Sequence, residues 1–485
     1  MYFNSQIFLH LFLPAALLIY HGVPAVVRLR GRPHTLFANL FLFGASLFFY
    51  AWGEYVYTLV LYLSFVVNYF LARTAEILAT RNRSTTPVAA LAVALNLALL
   101  IWFKYVGFII AVLAERGFAV RLPGLPDHLP IGISFFTFQA ISYVLDVCRK
   151  EVPAERSYLN FGLYVFLFPH LIAGPIVRYR DIAAQLAVRP VGLERFAEGV
   201  RRFGIGLAKK LLLADTFAEA ADAAFGRSDL PVSAAELSMA AAWLGTLFYG
   251  LPIYFDFGGY SDMAIGLGKL FGFDFLENFR YPYIAQSVTE FWRRWHISLS
   301  TWFRDYVYIS LGGNRSGSAK TYRNLLIVFV LCGVWHGANW TFFFWGLYHG
   351  AFLALERLGF GAAVGRLPQP MRHAYALVAV GCGWILFRAN DLDHARDYFE
   401  SLVRIDGGTV TAGDIWNPKL GLALPAGLLV CLPVVPWIER KVSARGEALG
   451  NLLGLCGTVG IAACYLGASI QMAAKTYSPF IYFRF

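Results

Sequence analysis

The chain has 485 residues and a net charge of +11, yet only 15% of its residues are charged and 58% are hydrophobic. A soluble globular domain carries about 25% charged residues, so this composition excludes an ordinary soluble fold and points to an all-α, polytopic integral membrane protein. The positive surplus reads as Arg- and Lys-rich cytoplasmic loops beside anionic lipid, since no basic stretch lies in a soluble segment that would bind nucleic acid.

The opening MYFNSQIFLHLFLPAALLIY is apolar, with no positive leader and no small-x-small cleavage site, and reads as a retained first span over 7–24. Further candidate spans lie at 36–52, 55–72, 87–103, 131–147, 159–176, 237–257, 374–388, 420–438 and 449–473, with a run at 325–357 too long for one crossing. Weaker apolar stretches at 105–114, 203–225 and 263–273 bring the expected total to about ten to thirteen crossings, with re-entrant or interfacial helices among them. No repeat or linker interrupts the pattern, so one membrane domain is expected over 1–485: N-terminal spans to 130, a central core over 131–358, and C-terminal spans over 359–485. The cysteines Cys148, Cys332, Cys382, Cys431, Cys456 and Cys464 show no metal or disulfide spacing, and no metal is expected.

Orientation follows the bias of Arg and Lys in the loops. Arg28, Arg30 and Arg32 follow the first span, Arg73, Arg81 and Arg83 follow the third, and the turn between carries only Glu54. The N-terminus is therefore expected outside. The basic stretches 178–210 (Arg178, Arg180, Arg189, Arg195, Arg201, Arg202, Lys209, Lys210) and 277–323 (Arg280, Arg293, Arg294, Arg304, Arg315, Lys320, Arg323) should face the cytoplasm. The net acidic 391–414, with Asp391, Asp393, Asp397, Glu400, Asp406 and Asp414, should face outward.

Polarity where it is expensive marks the candidate site. From Leu325 to Leu355 the chain carries no formal charge, yet His336 sits near the middle and His349 near the end. Ionisable residues at membrane depth face a protein interior or an aqueous cavity and default to function. Gly333 and Gly337 flank Trp335-His336 and permit a helix break or a close backbone approach. On the residues alone, His336 reads equally as a catalytic group or as a hydrogen bond to a neighbouring helix, whereas His349 reads as packing. In EFWRRWHISLSTWFRDY, residues 290–306, helical spacing places Trp292, Trp295, Leu299, Trp302, Phe303 and Tyr306 on one face. Arg293, Arg294, Arg304 and Asp305 fall on the other, giving one amphipathic helix at an interface or cavity mouth. His296 lies at the edge of its aromatic face, a place that by itself favours an interfacial polar residue over a catalyst. In YFDFGGYSDMAIG, Asp256 and Asp262 stand beside an expected helix break at Gly258-Gly259, and pairing with nearby Arg is their simplest role.

Nucleotide, hydrolase and zinc-protease motifs are absent: no GxxxxGK[ST], GxSxG or HExxH occurs. Two further readings stand beside an enzyme. One is a transporter or flippase whose intramembrane His and Asp bind substrate or protons; the other is a scaffold of an export complex. Neither a repeated half-structure nor paired interrupted helices supports transport.

The blocks DFGGYSDMAIGLGKLFGF, ENFRYPYIAQSVTEFWRRWHISLSTWFRDYVYISLGGNR and GVWHGANW, with LIAGPIVR, LFRAN and the terminal SPFIYFRF, resemble the membrane-bound O-acyltransferase (MBOAT) superfamily. Within it they look like the branch of membrane subunits for alginate O-acetylation, and are similar more weakly to the proteins of D-alanyl transfer to teichoic acid. The resemblance implies that 131–358 is a catalytic core around a funnel. It implies that His336 is the family's invariant histidine and His296 its second polar position, both catalytic. It further implies a cytoplasmic acyl donor such as acetyl-CoA with no bound cofactor, a periplasmic acceptor or transferase protein as partner, an exopolysaccharide as final product, and a place in the bacterial inner membrane. The chemistry asks for a base on the attacking hydroxyl and for oxyanion stabilisation. The first task falls to His336, unless that imidazole is itself acylated. Asn339 or His296 would serve the second, and Trp295, Trp335 and Asn339 are expected to bind substrate.

Overall fold

Lipid offers backbone N–H and C=O groups no partner, so spanning segments must satisfy their own. In the computed structural model every regular element among the described residues is helical, apart from one bridge between Leu237 and Val410. The described residues are 1–28, 34–118, 120, 122, 124–126, 128–190, 192–226, 232–315, 317–405, 407–444 and 446–474. Arg30, Arg32, Asp406 and the terminal SPFIYFRF lie outside them.

Among the described residues, Thr35–Glu54, Tyr57–Thr80, Thr86–Lys104 and Ala448–Ala474 are long and apolar enough to cross a bilayer. The pair Leu420–Val430 and Val434–Val442, bent by 63°, makes a fifth if it counts as one span. Other long helices on which the larger expected total rested carry charge. Met239–Leu270 contains Asp256, Asp262 and Lys269, and Ser318–His336 contains Lys320 and Arg323.

The chain divides into two units, Met1–Phe203 with Ser261–Leu276, and Gly204–Tyr260 with Glu277–Phe485. In the first, Tyr57–Thr80, Thr86–Lys104 and Ile133–Cys148 pack together. Asn68 and Asn96 exchange amide hydrogen bonds of 3.1 and 2.8 Å between two of these helices. Such pairs join spans where lipid gives no hydrophobic gain, at roughly 0.6–2 kcal/mol each. Asp262 pairs with Arg202 at 2.6 Å, the role its sequence suggested.

The second unit holds the candidate site. Helix Met239–Leu270, whose last residues belong to the first unit, runs unbroken through Gly258-Gly259, where a break was expected. Gly259 serves a close approach instead: a Cβ there would lie 2.7 Å from the Gly206 carbonyl oxygen and 3.1 Å from the Lys210 nitrogen. Beside that contact Lys210 pairs with Asp256 (2.6 Å) and Asp215 (2.9 Å), all three buried. The long run at 325–357 is a hairpin, with an outgoing helix Ser318–His336, a turn at 337–339 and a return helix Trp340–Leu355. Glycines let the two helices touch at the backbone. A Cβ on Gly333 would lie 3.0 Å from the Gly346 nitrogen, one on Gly346 would meet the Phe329 backbone, and one on Gly350 would lie 3.1 Å from the Phe329 Cβ.

Candidate active site

His336 is the last residue of the outgoing helix, and its side chain is only 7% exposed. Its ring sits in an aromatic nest, with ring centres 4.9 Å from Trp335, 5.1 Å from Trp345 and 5.1 Å from Phe387. Trp345 comes from the return helix and Phe387 from helix Gln369–Arg388, so three helix segments meet at this imidazole.

His296 reaches the same nest by a different route. The single amphipathic helix expected over 290–306 is broken: Val288–Arg294 ends, Trp295 is extended, and Ile297–Phe303 begins anew. The break lies at His296, which is left-handed (φ 43°, ψ 54°), a conformation that costs a non-glycine residue roughly 1–3 kcal/mol and persists only where its surroundings impose it. Asn278 imposes it. Its carbonyl oxygen accepts from the Ile297 N–H (3.0 Å), and its side-chain Oδ1 accepts from the Ser298 N–H (3.2 Å) and the Ser298 hydroxyl (2.9 Å). Arg280 N–H adds a bond to the Arg294 carbonyl (2.9 Å). The chain therefore turns where regular spacing forecast continuity, and His296, 1% exposed, points into protein.

That network fixes a tautomer. The Asn278 atom that accepts from a backbone N–H must be its oxygen, and the same atom lies 3.2 Å from His296 Nδ1. Nδ1 therefore carries the hydrogen and donates it. In the neutral ring Nε2 is left as a lone-pair acceptor, buried and with no hydrogen-bond partner among the described residues. The ring packs 4.7 Å from Phe257 and 6.3 Å from Trp335, and Trp335 in turn adjoins His336.

The other expected residues divide. Trp335 adjoins both histidine rings, and Trp295 joins the nest through Trp384 (4.9 Å), which faces Trp345 (6.3 Å). Asn339 is placed at the hairpin turn. Its oxygen accepts from the Thr341 N–H (3.2 Å), capping the return helix, and its Nδ2 donates to the Asn390 carbonyl (2.8 Å). His349 is fully buried and accepts at Nδ1 from the Trp292 indole (3.4 Å). Sequence reasoning missed Asn278 and Phe387. Both lie in quoted motifs, ENFRYPY and LFRAN, but a loop asparagine and an apolar phenylalanine carry no anomaly of polarity to expose them.

Comparison with known proteins agrees with this architecture. The MBOAT model, the membrane-bound O-acyltransferase family, matches residues 47–380. A probable alginate O-acetylase of Pseudomonas aeruginosa is 44% identical, and one of Azotobacter vinelandii 39% identical, each over 100% of both chains. A peptidoglycan O-acetyltransferase of Helicobacter pylori is 35% identical over 84% of this chain and 80% of its own. The chain belongs to the membrane-bound O-acyltransferase family: it is a multi-pass membrane enzyme that transfers acyl groups to oxygen. Its full-length relatives narrow this to a membrane O-acetyltransferase, which sets aside transport and scaffolding.

Proposed function

We propose that the protein takes an acetyl group from a cytoplasmic thioester, acetyl-CoA, and passes it across the bacterial inner membrane to a hydroxyl of a periplasmic acceptor protein. From there it reaches an exopolysaccharide of the alginate kind. The relatives named for alginate support the polymer, and the basic segments 178–210 and 277–323 support cytoplasmic entry of an anionic donor.

In this reading the acceptor oxygen attacks the thioester carbonyl while His336 takes the hydroxyl proton. The C–S bond then breaks, and His336 returns the proton to the departing sulfur. Proton transfer of this kind is worth roughly 10²–10⁴-fold. The hydroxyl's single hydrogen goes to His336, so His296 accepts at Nε2 from a different donor of the bound substrates, such as an amide N–H of the thioester arm, and positions them. A neutral His296 whose Nδ1–H is engaged by Asn278 has no hydrogen to offer an oxyanion, so it is an acceptor in this scheme. Asn339 spends its oxygen on the helix cap and holds the turn after His336. The positive N-terminal end of the return helix starts within that turn and suits the developing oxyanion. Trp295 and Trp335 shape an apolar wall for the acetyl group.

The observation that carries this reading is that two buried imidazoles line one aromatic nest, one with an acceptor nitrogen that has no partner among the described residues. The test is transfer in purified protein. Labelled acetyl-CoA and the periplasmic acceptor should yield acetylated acceptor and free CoA in equal amounts, and a folded sample that does neither contradicts it. Direction has its own check. Cysteines placed near Arg195 and Arg315 should resist an impermeant external thiol reagent, while one near Asp393 should react.

A further inference from the structure

Helix Val288–Arg294 has only seven residues, too few to be stable alone, yet its far end delivers His296. Its first N–H groups have no partner within the helix. Ser287 Oγ accepts from the Glu290 N–H (2.9 Å), and Glu290 Oε2 accepts from the Gln286 N–H (2.9 Å). The two remaining donors go to a residue far along the chain. Glu356 Oε1 accepts from the Val288 N–H at 2.7 Å, and Oε2 accepts from the Thr289 N–H at 2.9 Å. The Tyr375 hydroxyl donates to the same Oε1 at 2.9 Å, and Glu356 is only 8% exposed. A carboxylate gripping two N-terminal amides gains charge-assisted hydrogen bonds and the favourable end of the helix dipole.

Glu356 directly follows the return helix of the His336 hairpin. Trp345, His349 and Glu356 are spaced to share one helical face. Trp345 touches His336 and lies 5.6 Å from Trp292; His349 accepts from the Trp292 indole; Glu356 takes the helix start. One stripe of the return helix therefore holds the short helix along its length.

We propose that Glu356 is a positioning residue for acyl transfer: by gripping the Val288 and Thr289 amides it sets where His296 stands relative to His336. This rests on the reading that both histidines serve the reaction. A glutamine at 356 keeps the size but offers one accepting oxygen for three donors, so the helix start loosens.

The experiment is a double-mutant cycle in the purified full-length protein, using Glu356→Gln, His296→Ala and their combination. Glu356→Gln should lower kcat about 10²-fold, the scale of a 1 Å misplacement, with KM for acetyl-CoA within about twofold. In the His296→Ala background, where little remains to position, the same change should cost less than about threefold. An equal factor in both backgrounds makes Glu356 a general stabiliser and overturns the proposal while leaving the site intact. Full activity in His296→Ala alone removes the site reading, and the proposal with it. Should Glu356→Gln fail to accumulate, Tyr375→Phe keeps the carboxylate and removes one of its bonds. It should lower kcat about fivefold, the effect of one modest hydrogen bond, and unchanged kcat there overturns the proposal.

Discussion

The two histidines reach one aromatic nest by opposite constructions. His336 ends a regular helix, and its place is set by absent side chains: Gly333, Gly346 and Gly350 let the hairpin close at the backbone. His296 sits in a left-handed residue between two seven-residue helices, and its place is set by polar bonds from Asn278. Close packing fixes a position by volume, so it resists small changes and fails abruptly. A hydrogen-bonded break fixes both position and tautomer, because the group that bends the chain also orients the ring. In the proposed reaction the difference suits a rigidly held proton acceptor and a second imidazole whose donor and acceptor sides must be assigned.

Substitutions should separate these constructions. The largest effect is expected from Gly346→Leu, which drives a side chain into the Phe329 backbone. Overpacking costs about 1–3 kcal/mol or more, so folded protein and transfer should disappear together in size-exclusion and activity assays. Asn278→Leu leaves the hairpin untouched but strands the Ser298 amide and hydroxyl. It should cost about 1–3 kcal/mol in thermal melts, while transfer per folded molecule falls by about 10²-fold as His296 loses its setting. A Gly346→Leu protein that folds normally yet transfers as little per molecule as Asn278→Leu would erase the contrast. The smallest effect should come from Asp414, an exposed carboxylate with no part in the aromatic nest. Amide and hydroxyl hydrogen bonds from Thr411 hold the Asp414 carboxyl below its ordinary value. A depressed carboxyl stabilises the fold above the unfolded carboxylate pKa, about 3.9, and loses that contribution as pH falls through its own lower value. Asp414→Asn should therefore melt slightly lower than wild type at neutral pH, with the gap closing in acid and transfer unchanged. A gap that widens in acid contradicts the assignment.

The hairpin was legible because its signals are local. An uncharged run too long for one crossing, glycines at 333 and 337 and a histidine between them lie in one short stretch. The break at His296 was hidden because its cause lies outside the periodic segment. Trp292, Trp295 and Leu299 keep helical spacing on either side of a turn that Asn278 dictates from upstream. Gly258-Gly259 misled in the other direction. A glycine pair signals a break and a close approach alike, and only the neighbouring Gly206 and Lys210 backbone decides for the approach. Crossing number was blurred because Met239–Leu270 carries Asp256 and Asp262 in paired form, which hydropathy scores as if they faced lipid.

His336→Gln separates a histidine that moves a proton, as proposed, from one that fills space. Glutamine keeps polar hydrogen-bonding capacity but takes up no proton near neutral pH. Thermal stability and acetyl transfer should be measured on the same preparation of wild type, His336→Gln and His336→Ala. Both variants should fold with near-normal melting temperatures and transfer no measurable acetyl group. A stable His336→Gln protein with substantial transfer, beside a His336→Ala protein destabilised by roughly 1–3 kcal/mol, would contradict the proposed proton transfer and return this histidine to packing.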